Sequence, residues 1–386
     1  MDLTMATKRQ IIERQKNPYR RAGKKEKSRI LQALVTTTGL SRDHISCVLR
    51  DQYQYQQGPV KPGRGRKAVY GMAHKELLKR AWILLHFPSS RRLEAALPDV
   101  IENLEQHGHL RLEATFKQQM LSMSHGTMDR LLKHNRKQLN PFGRATTKPG
   151  SLLKNQIPIR RGTDWDDSVP GFLEIDLVAH CGSEPRGEYL FTLNATDVKT
   201  GWTECWAVRN KARIHTLEAM KSIEKRLPFP LRGIDSDNGS EFINQHFLNY
   251  CKDKKICFTR SRPNHSNDGC YVEQKNWSVV RKMIGYGRLE GQGAVDTLNH
   301  YYELLSVLNN FFLPSQKLIQ RVRDGSRVIR KHDLAITPYR RLLIEDTLCP
   351  QQKEELHQFF QALDLLSIQK EMGELLAQIQ SLSLGY

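Results

Sequence analysis

The sequence predicts a multidomain protein: all-α modules of helix-turn-helix type at the N-terminus, a central α/β domain, and a basic C-terminal region ending in an amphipathic helix. Three observations predict it. Apolar residues recur at helical spacing in two N-terminal stretches, each broken by a short polar turn. From Phe172 onward, three consecutive strand candidates give way to alternating helices and strands, the order of a mixed sheet covered by helices. Positive charge is concentrated at one end: residues 1–67 hold 16 basic and 5 acidic residues, a net of +11 out of +19 for the 386-residue chain. Such an excess favours polyanionic partners.

Residues 1–57 read as a helix-turn-helix DNA-binding domain. Ile30, Leu31, Leu34 and Val35 form one apolar face, Thr36 to Leu40 breaks it, and Ser41 caps a second helix carrying Ile45, Val48 and Leu49. That helix exposes Arg42, His44, Ser46 and Arg50, which suit phosphates and base edges. A plain helical hairpin is the ordinary alternative. Residues 58–67 form a basic linker in which Arg64 and Arg66 flank Gly65, a pattern that fits a narrow minor groove or simply a solvated spacer.

Residues 68–140 read as a second helical domain. Leu77, Leu78, Trp82, Leu84 and Leu85 mark helical patterning over 72–106. A second helix-turn-helix candidate spans about 112–134, with Met128, Leu131 and Leu132 inward and Thr127, Arg130 and Lys133 outward. Residues 141–170, rich in Pro, Gly and basic residues, form a linker.

The central domain covers 171–313. Its strand candidates are Phe172–Val178, Tyr189–Ala195, Thr203–Val208, Leu231–Ile234 and Ile256–Thr259. Helices are expected at Thr216–Arg226 and Phe242–Lys252, with a long one starting near Asp268. Beyond it, 314–350 is a basic DNA-binding segment, read as a small barrel or an extended arm. Residues 351–386 form an amphipathic tail with Leu356, Phe359, Phe360, Leu363 and Leu366 at helical spacing, able to pack on this chain or on another copy.

The seven cysteines are scattered, which argues against a zinc site or a disulfide framework and fits a reducing compartment. There is no apolar run of about 18 residues and the start is polar and basic, so a soluble cytoplasmic protein with no membrane partner is expected.

Three carboxylates stand out. In Leu173-Glu174-Ile175-Asp176-Leu177, strand alternation sends Glu174 and Asp176 to the face opposite the apolar residues. An acid within an apolar strand is costly unless something neutralises it, and metal ligation does so. An exposed face of an edge strand is the ordinary alternative. Asp237 follows a short strand in Ser236-Asp237-Asn238-Gly239, where the Asn-Gly turn puts its carboxylate at the sheet's C-terminal edge. A calcium loop starting at Asp235 is excluded, because its sixth and twelfth positions are Ser240 and His246. Glu273 lies on the predicted long helix, sharing a face with Asn276 and Val280, and 35 residues lie between it and Asp237. Arg260, Arg262, Lys275 and Arg281 surround this region as candidate phosphate contacts.

The segment 171–285 resembles the integrase core of the retroviral-integrase and insertion-sequence transposase superfamily, with its Asp, Asp-35-Glu (DDE) triad. The matches are Ile175-Asp176, Asp237-Asn238-Gly239-x-Glu241-Phe242 and Val272-Glu273-x-x-Asn276. Departures are the missing N-terminal His-His-Cys-Cys zinc module and Asn264-His265 where such enzymes often carry an aromatic residue. The resemblance implies an RNase H-like fold in which Asp176, Asp237 and Glu273 are both catalytic residues and ligands of two Mg²⁺ (or Mn²⁺) ions. It implies a bacterial insertion-sequence transposase, acting as a homo-oligomer on double-stranded DNA, both the element's terminal repeats and target DNA. The other readings are a DNA-binding regulator with an inert core and a nuclease that cleaves without joining.

Overall fold

The computed structural model describes residues 3–50, 69–138, 168–237, 239, 241–260, 270–324 and 327–383. The chain divides into two compact units, Met1–Ala68 and Val69–Tyr386.

The first unit is helical. Thr4 caps α1 (Met5–Arg14) by accepting from the Thr7 amide at 3.2 Å, and α2 (Lys16–Arg21) follows at once. Then α3 (Lys24–Thr38) ends at Gly39, whose φ of 67° gives the left-handed cap that glycine adopts without steric cost. Ser41 caps α4 (Arg42–Leu49) by accepting from the His44 amide at 3.3 Å. Ile12, Tyr19, Leu31, Leu34, Ile45 and Leu49 close a small core of their own. Two helices joined by a turn are therefore present over 24–49, backed by two that the apolar spacing did not reveal.

In the second unit α5 (Met72–Leu84), α6 (Ser90–Gln106), α7 (Ala114–Leu121) and α8 (His125–Gln138) precede the sheet. The sheet is built from β1 (Phe172–Ala179), β2 (Phe191–Asp197) and β3 (Thr203–Val208), then α9 (Arg213–Arg226), β4 (Gly233–Ser236), α10 (Gln245–Asp253) and β5 (Cys257–Arg260). Strand order is β3-β2-β1-β4-β5. β1 pairs antiparallel with β2 and parallel with β4, so it is central; the edge-strand alternative for Asp176 is excluded. Gly171 (φ +115°) sets the start of β1. A β-carbon there would stand 2.4 Å from the Pro230 carbonyl oxygen, so only glycine lets the chain pass this close to the approach to β4.

Next come α11 (Cys270–Lys275), a π-helical segment (Asn276–Arg281), α12 (Lys282–Ile284), α13 (Gln292–Val307) and a second π-helical segment (Leu308–Phe312). Asn299 and Asn310 close the outer edge of β3. Each side-chain amide bonds both backbone groups of one strand residue, Asn299 with Ala207 and Asn310 with Thr203.

The basic segment is neither barrel nor extended arm. It is a two-stranded antiparallel hairpin of β6 (Leu318–Asp324) and β7 (Arg327–His332), followed by α14 (Pro338–Ile344). The tail folds as α15 (Pro350–Ala362) and α16 (Leu365–Leu382) and packs on this chain: Asn103 of α6 bonds the Leu363 carbonyl and the Leu365 amide at its start. The regions expected as separate domains over 68–140, 171–313 and 351–386 share one buried cluster, from Leu77 and Trp82 through Leu173, Leu193 and Tyr302 to Met372. Among the described residues no helix is long and apolar enough to cross a membrane.

Candidate active site

The parallel ladder of β1 and β4 sets the site. Glu174 pairs with Asp235 and Ile175 with Ser236, the last pairing of the ladder. One residue further, Asp237 follows the end of β4 while Asp176 stays within β1, on adjacent strands that lie about 4.8 Å apart in any sheet. Period-two alternation puts Glu174, Asp176 and Asp235 on one sheet face, the face on which α11 packs.

Glu174 and Asp235 are the buried pair, at 1 % and 2 % exposure. Glu174 accepts from the Val272 amide of α11 at 3.2 Å, and Asp235 accepts from the Thr259 hydroxyl at 2.6 Å. Both therefore hold neighbouring elements in place. Asp176 is half-buried; it accepts from its neighbour's amide (Leu177, 2.8 Å) and from Asn276 Nδ2 (2.6 Å). Asp237 is exposed and accepts from the Gly239 amide at 2.9 Å. Surrounding protein raises its carboxyl above the usual carboxylate range, opposed by that amide bond and reinforced by Glu241.

The backbone of Glu273 belongs to α11, while its side chain lies outside the described part of the structure. Val272 and Asn276, on either side of it, both bond to β1. The helix turns π-helical at Asn276, a local widening often found at functional sites. Among the described residues no three His, Cys, Asp or Glu side chains gather closely enough to hold a metal ion. The donor chemistry nevertheless fits one. The acids at hand offer only hard oxygen ligands, suited to Mg²⁺ or Mn²⁺, and Asp237 carries a crowded negative charge that a cation would relieve.

The candidate DNA contacts divide into several groups. Arg64, Arg66 and Arg262 lie outside the described residues. Arg42 is exposed on α4 and Arg50 just beyond it, with Arg42 bonded to Ser28 Oγ at 3.0 Å, while His44 and Ser46 are half-buried. Arg130 and Lys133 are exposed on α8; half-buried Thr127 accepts from Arg130 at 3.0 Å. Three candidates turn inward, which corrects the expectation of open phosphate contacts. Arg260, the last residue of β5, is only 5 % exposed. Arg281 donates to the Ala179 carbonyl at 2.5 Å and lies over the Tyr286 ring. Lys275 is half-buried; its ammonium is lowered to about 8, by burial first and then by Arg92.

Asn194 is the residue the sequence reading missed. It stands opposite Asp176 in the β1–β2 ladder, fully buried, and donates to Asn276 Oδ1 at 2.8 Å. A signal was there: Thr192, Asn194 and Thr196 alternate with Phe191, Leu193 and Ala195, a polar row on the acid-bearing face.

With this geometry described, comparison with known proteins adds a family. The integrase core domain family matches residues 166–266, which span β1 to β5 and stop short of Glu273. An uncharacterized protein of Sinorhizobium fredii (strain NBRC 101917 / NGR234), y4rM, is 34% identical over 339 residues, 88% of this chain and 96% of the relative. The Pro-Pol polyprotein of simian foamy virus type 3 is 29% identical over 137 residues, 34% of this chain but only 11% of the polyprotein. Among solved structures, the HTLV-2 integrase catalytic core domain in complex with magnesium aligns over 39% of this chain and 93% of its own, at 15% identity and a TM-score of 0.30.

Proposed function

Because this chain belongs to the same family as rhizobial y4rM and carries an integrase core domain, we propose that it is a metal-dependent DNA transposase. It would cleave the ends of a mobile element and join the freed 3′-hydroxyl to target DNA. One observation carries this reading. Asp176 within β1 and Asp237 just past the end of β4 each stand one residue beyond the last pairing of these adjacent parallel strands, and the helix bearing Glu273 is bonded to the first of those strands.

In this reading Asp176, Asp237 and Glu273 hold two Mg²⁺ or Mn²⁺ ions. When bound, such a pair lowers the barrier to in-line displacement at a phosphodiester by stabilising the charge on the attacking and leaving oxygens. The chain's own residues do the rest. Asn276 and the Leu177 amide fix the direction of the Asp176 carboxylate. Glu174 holds the start of α11 and Asp235 holds β5, so neither needs to ligate an ion. Exposed Arg42, Arg130 and Lys133 lie on helices suited to DNA contact, with Arg50 just beyond α4, and a second copy would hold the second element end.

The test uses duplexes carrying the inverted repeats that bound the gene. Mg²⁺-dependent nicking and joining are expected from the wild-type chain. Asp237→Asn should bind the same ends and do neither. Full joining by that variant would refute the role of Asp237; nicking without joining by the wild type would point to a nuclease.

A further inference from the structure

We propose that Asn194 is a positioning residue: from inside β2 it fixes which way the Asn276 amide faces, and so which donor Asp176 receives. The proposal deepens the transposase reading and rests on it only for the ion.

Asn194 Nδ2 donates to Asn276 Oδ1 at 2.8 Å and to the Val272 carbonyl at 3.5 Å. Asn194 Oδ1 accepts from Cys205 Sγ at 3.7 Å. Asn276 Nδ2 then donates to Asp176 Oδ2 at 2.6 Å. Donors thus run one way, from thiol to amide to amide to carboxylate. Chemistry at the ends forbids the reverse, since the Val272 carbonyl and an ionised Asp176 can only accept. Turning either amide over would set oxygen against oxygen. Burial pushes the Cys205 thiol well above its usual range, so it keeps the hydrogen it donates.

This row does two things for the site. It ties Val272 and Asn276, which bracket Glu273 on the helix, to the central strands. It also gives one oxygen of Asp176 a donor of fixed direction, which sets the orientation of that carboxylate. Partners behind a ligand, though they never touch the ion, tune affinity in this manner.

Mn²⁺ binding to the full chain, read from the EPR signal of the free ion, reports on this without any DNA chemistry. The wild type should bind, and Asp176→Asn should lose most of that binding. Asn194→Leu keeps the volume but removes the amide, and should weaken binding about tenfold. If the wild type and Asp176→Asn bind alike, the metal reading falls and this proposal with it. If Asp176→Asn loses the ion while a folded Asn194→Leu keeps wild-type affinity, only the positioning role is overturned. Should Asn194→Leu not fold, Cys205 decides. Cys205→Ser retains a donor and should bind as the wild type does, whereas Cys205→Ala should weaken binding about twofold. Equal affinity of those two variants overturns the proposal.

Discussion

Asn310 acts as the missing neighbour of Thr203. Its side-chain oxygen accepts from the Thr203 amide at 2.9 Å and its Nδ2 donates to the Thr203 carbonyl at 3.0 Å, as a paired strand would. An unpaired strand edge invites association with other chains, and one remedy is to cover it with a helix. Here the edge of β3 is satisfied by two amides, and Asn310 is completely buried. Asn310→Ala leaves an amide and a carbonyl without partners in the interior. It should cost about 2–4 kcal/mol and promote self-association on warming. Chemical denaturation together with light scattering checks both effects. A variant as stable as the wild type would show that water replaces the amide freely.

The Asp99–Arg340 pair ties the helices before the sheet to the segment beyond it. Arg340 Nε donates to Asp99 Oδ2 at 3.0 Å, and a second nitrogen bonds the other oxygen. Asp99 is buried, but the arginine is half exposed, so solvent screens much of the attraction. Asp99→Asn keeps the shape and removes the charge. It should therefore cost only about 1 kcal/mol, or roughly 2–4 °C in Tm. A loss several times larger would mean that the pair is effectively sealed from water.

Sequence reading succeeded where a local pattern repeats and stumbled where tertiary contact decides. Apolar and aromatic runs between turns located β1 to β3 to within two residues at every boundary, because these strands bury most of their side chains. Alternation put Glu174 and Asp176 on one face. It could not tell that β1 is central, since neighbours in a sheet are set by distant β4 and by the tight passage at Gly171. Similarly, Arg260 and Arg281 look like surface cations by type, yet one is buried in β5 and the other is committed to the Ala179 carbonyl. Asn194 escaped notice for the same reason. Its importance comes from partners 78 and 82 residues away in the chain.

On the N-terminal unit, Arg50 is exposed just beyond α4. If α4 contacts phosphates, Arg50→Ala should weaken DNA binding on cognate and unrelated duplexes to a similar degree. The slope of log affinity against log salt should fall by about one unit. Fluorescence anisotropy at several salt concentrations measures this. An unchanged slope would remove Arg50 from the interface, and a loss confined to cognate ends would make it a base contact instead.

His180 is fully buried; its Nε2 shares a 2.7 Å hydrogen bond with the Thr192 hydroxyl, which shares another of 2.7 Å with Tyr302. Burial first, and then repulsion from Arg281, lower its pKa from 6.5 to about 3. The unfolded chain takes up a proton near pH 6.5, whereas the folded one refuses it until about pH 3. Between those values the unfolded state binds more protons, so stability is complete above pH 6.5 and declines as pH falls, by up to about 1.4 kcal/mol per unit. His86, lowered to about 4 chiefly by burial, adds a decline of the same sign. Urea denaturation at pH 7.5, 6 and 5 should show the wild type weakening on acidification. His180→Gln, which has no proton to refuse, should weaken less steeply over the same range. Parallel declines in the two proteins would mean that His180 accepts a proton in the folded state, and the buried row it heads would have to open to let that happen.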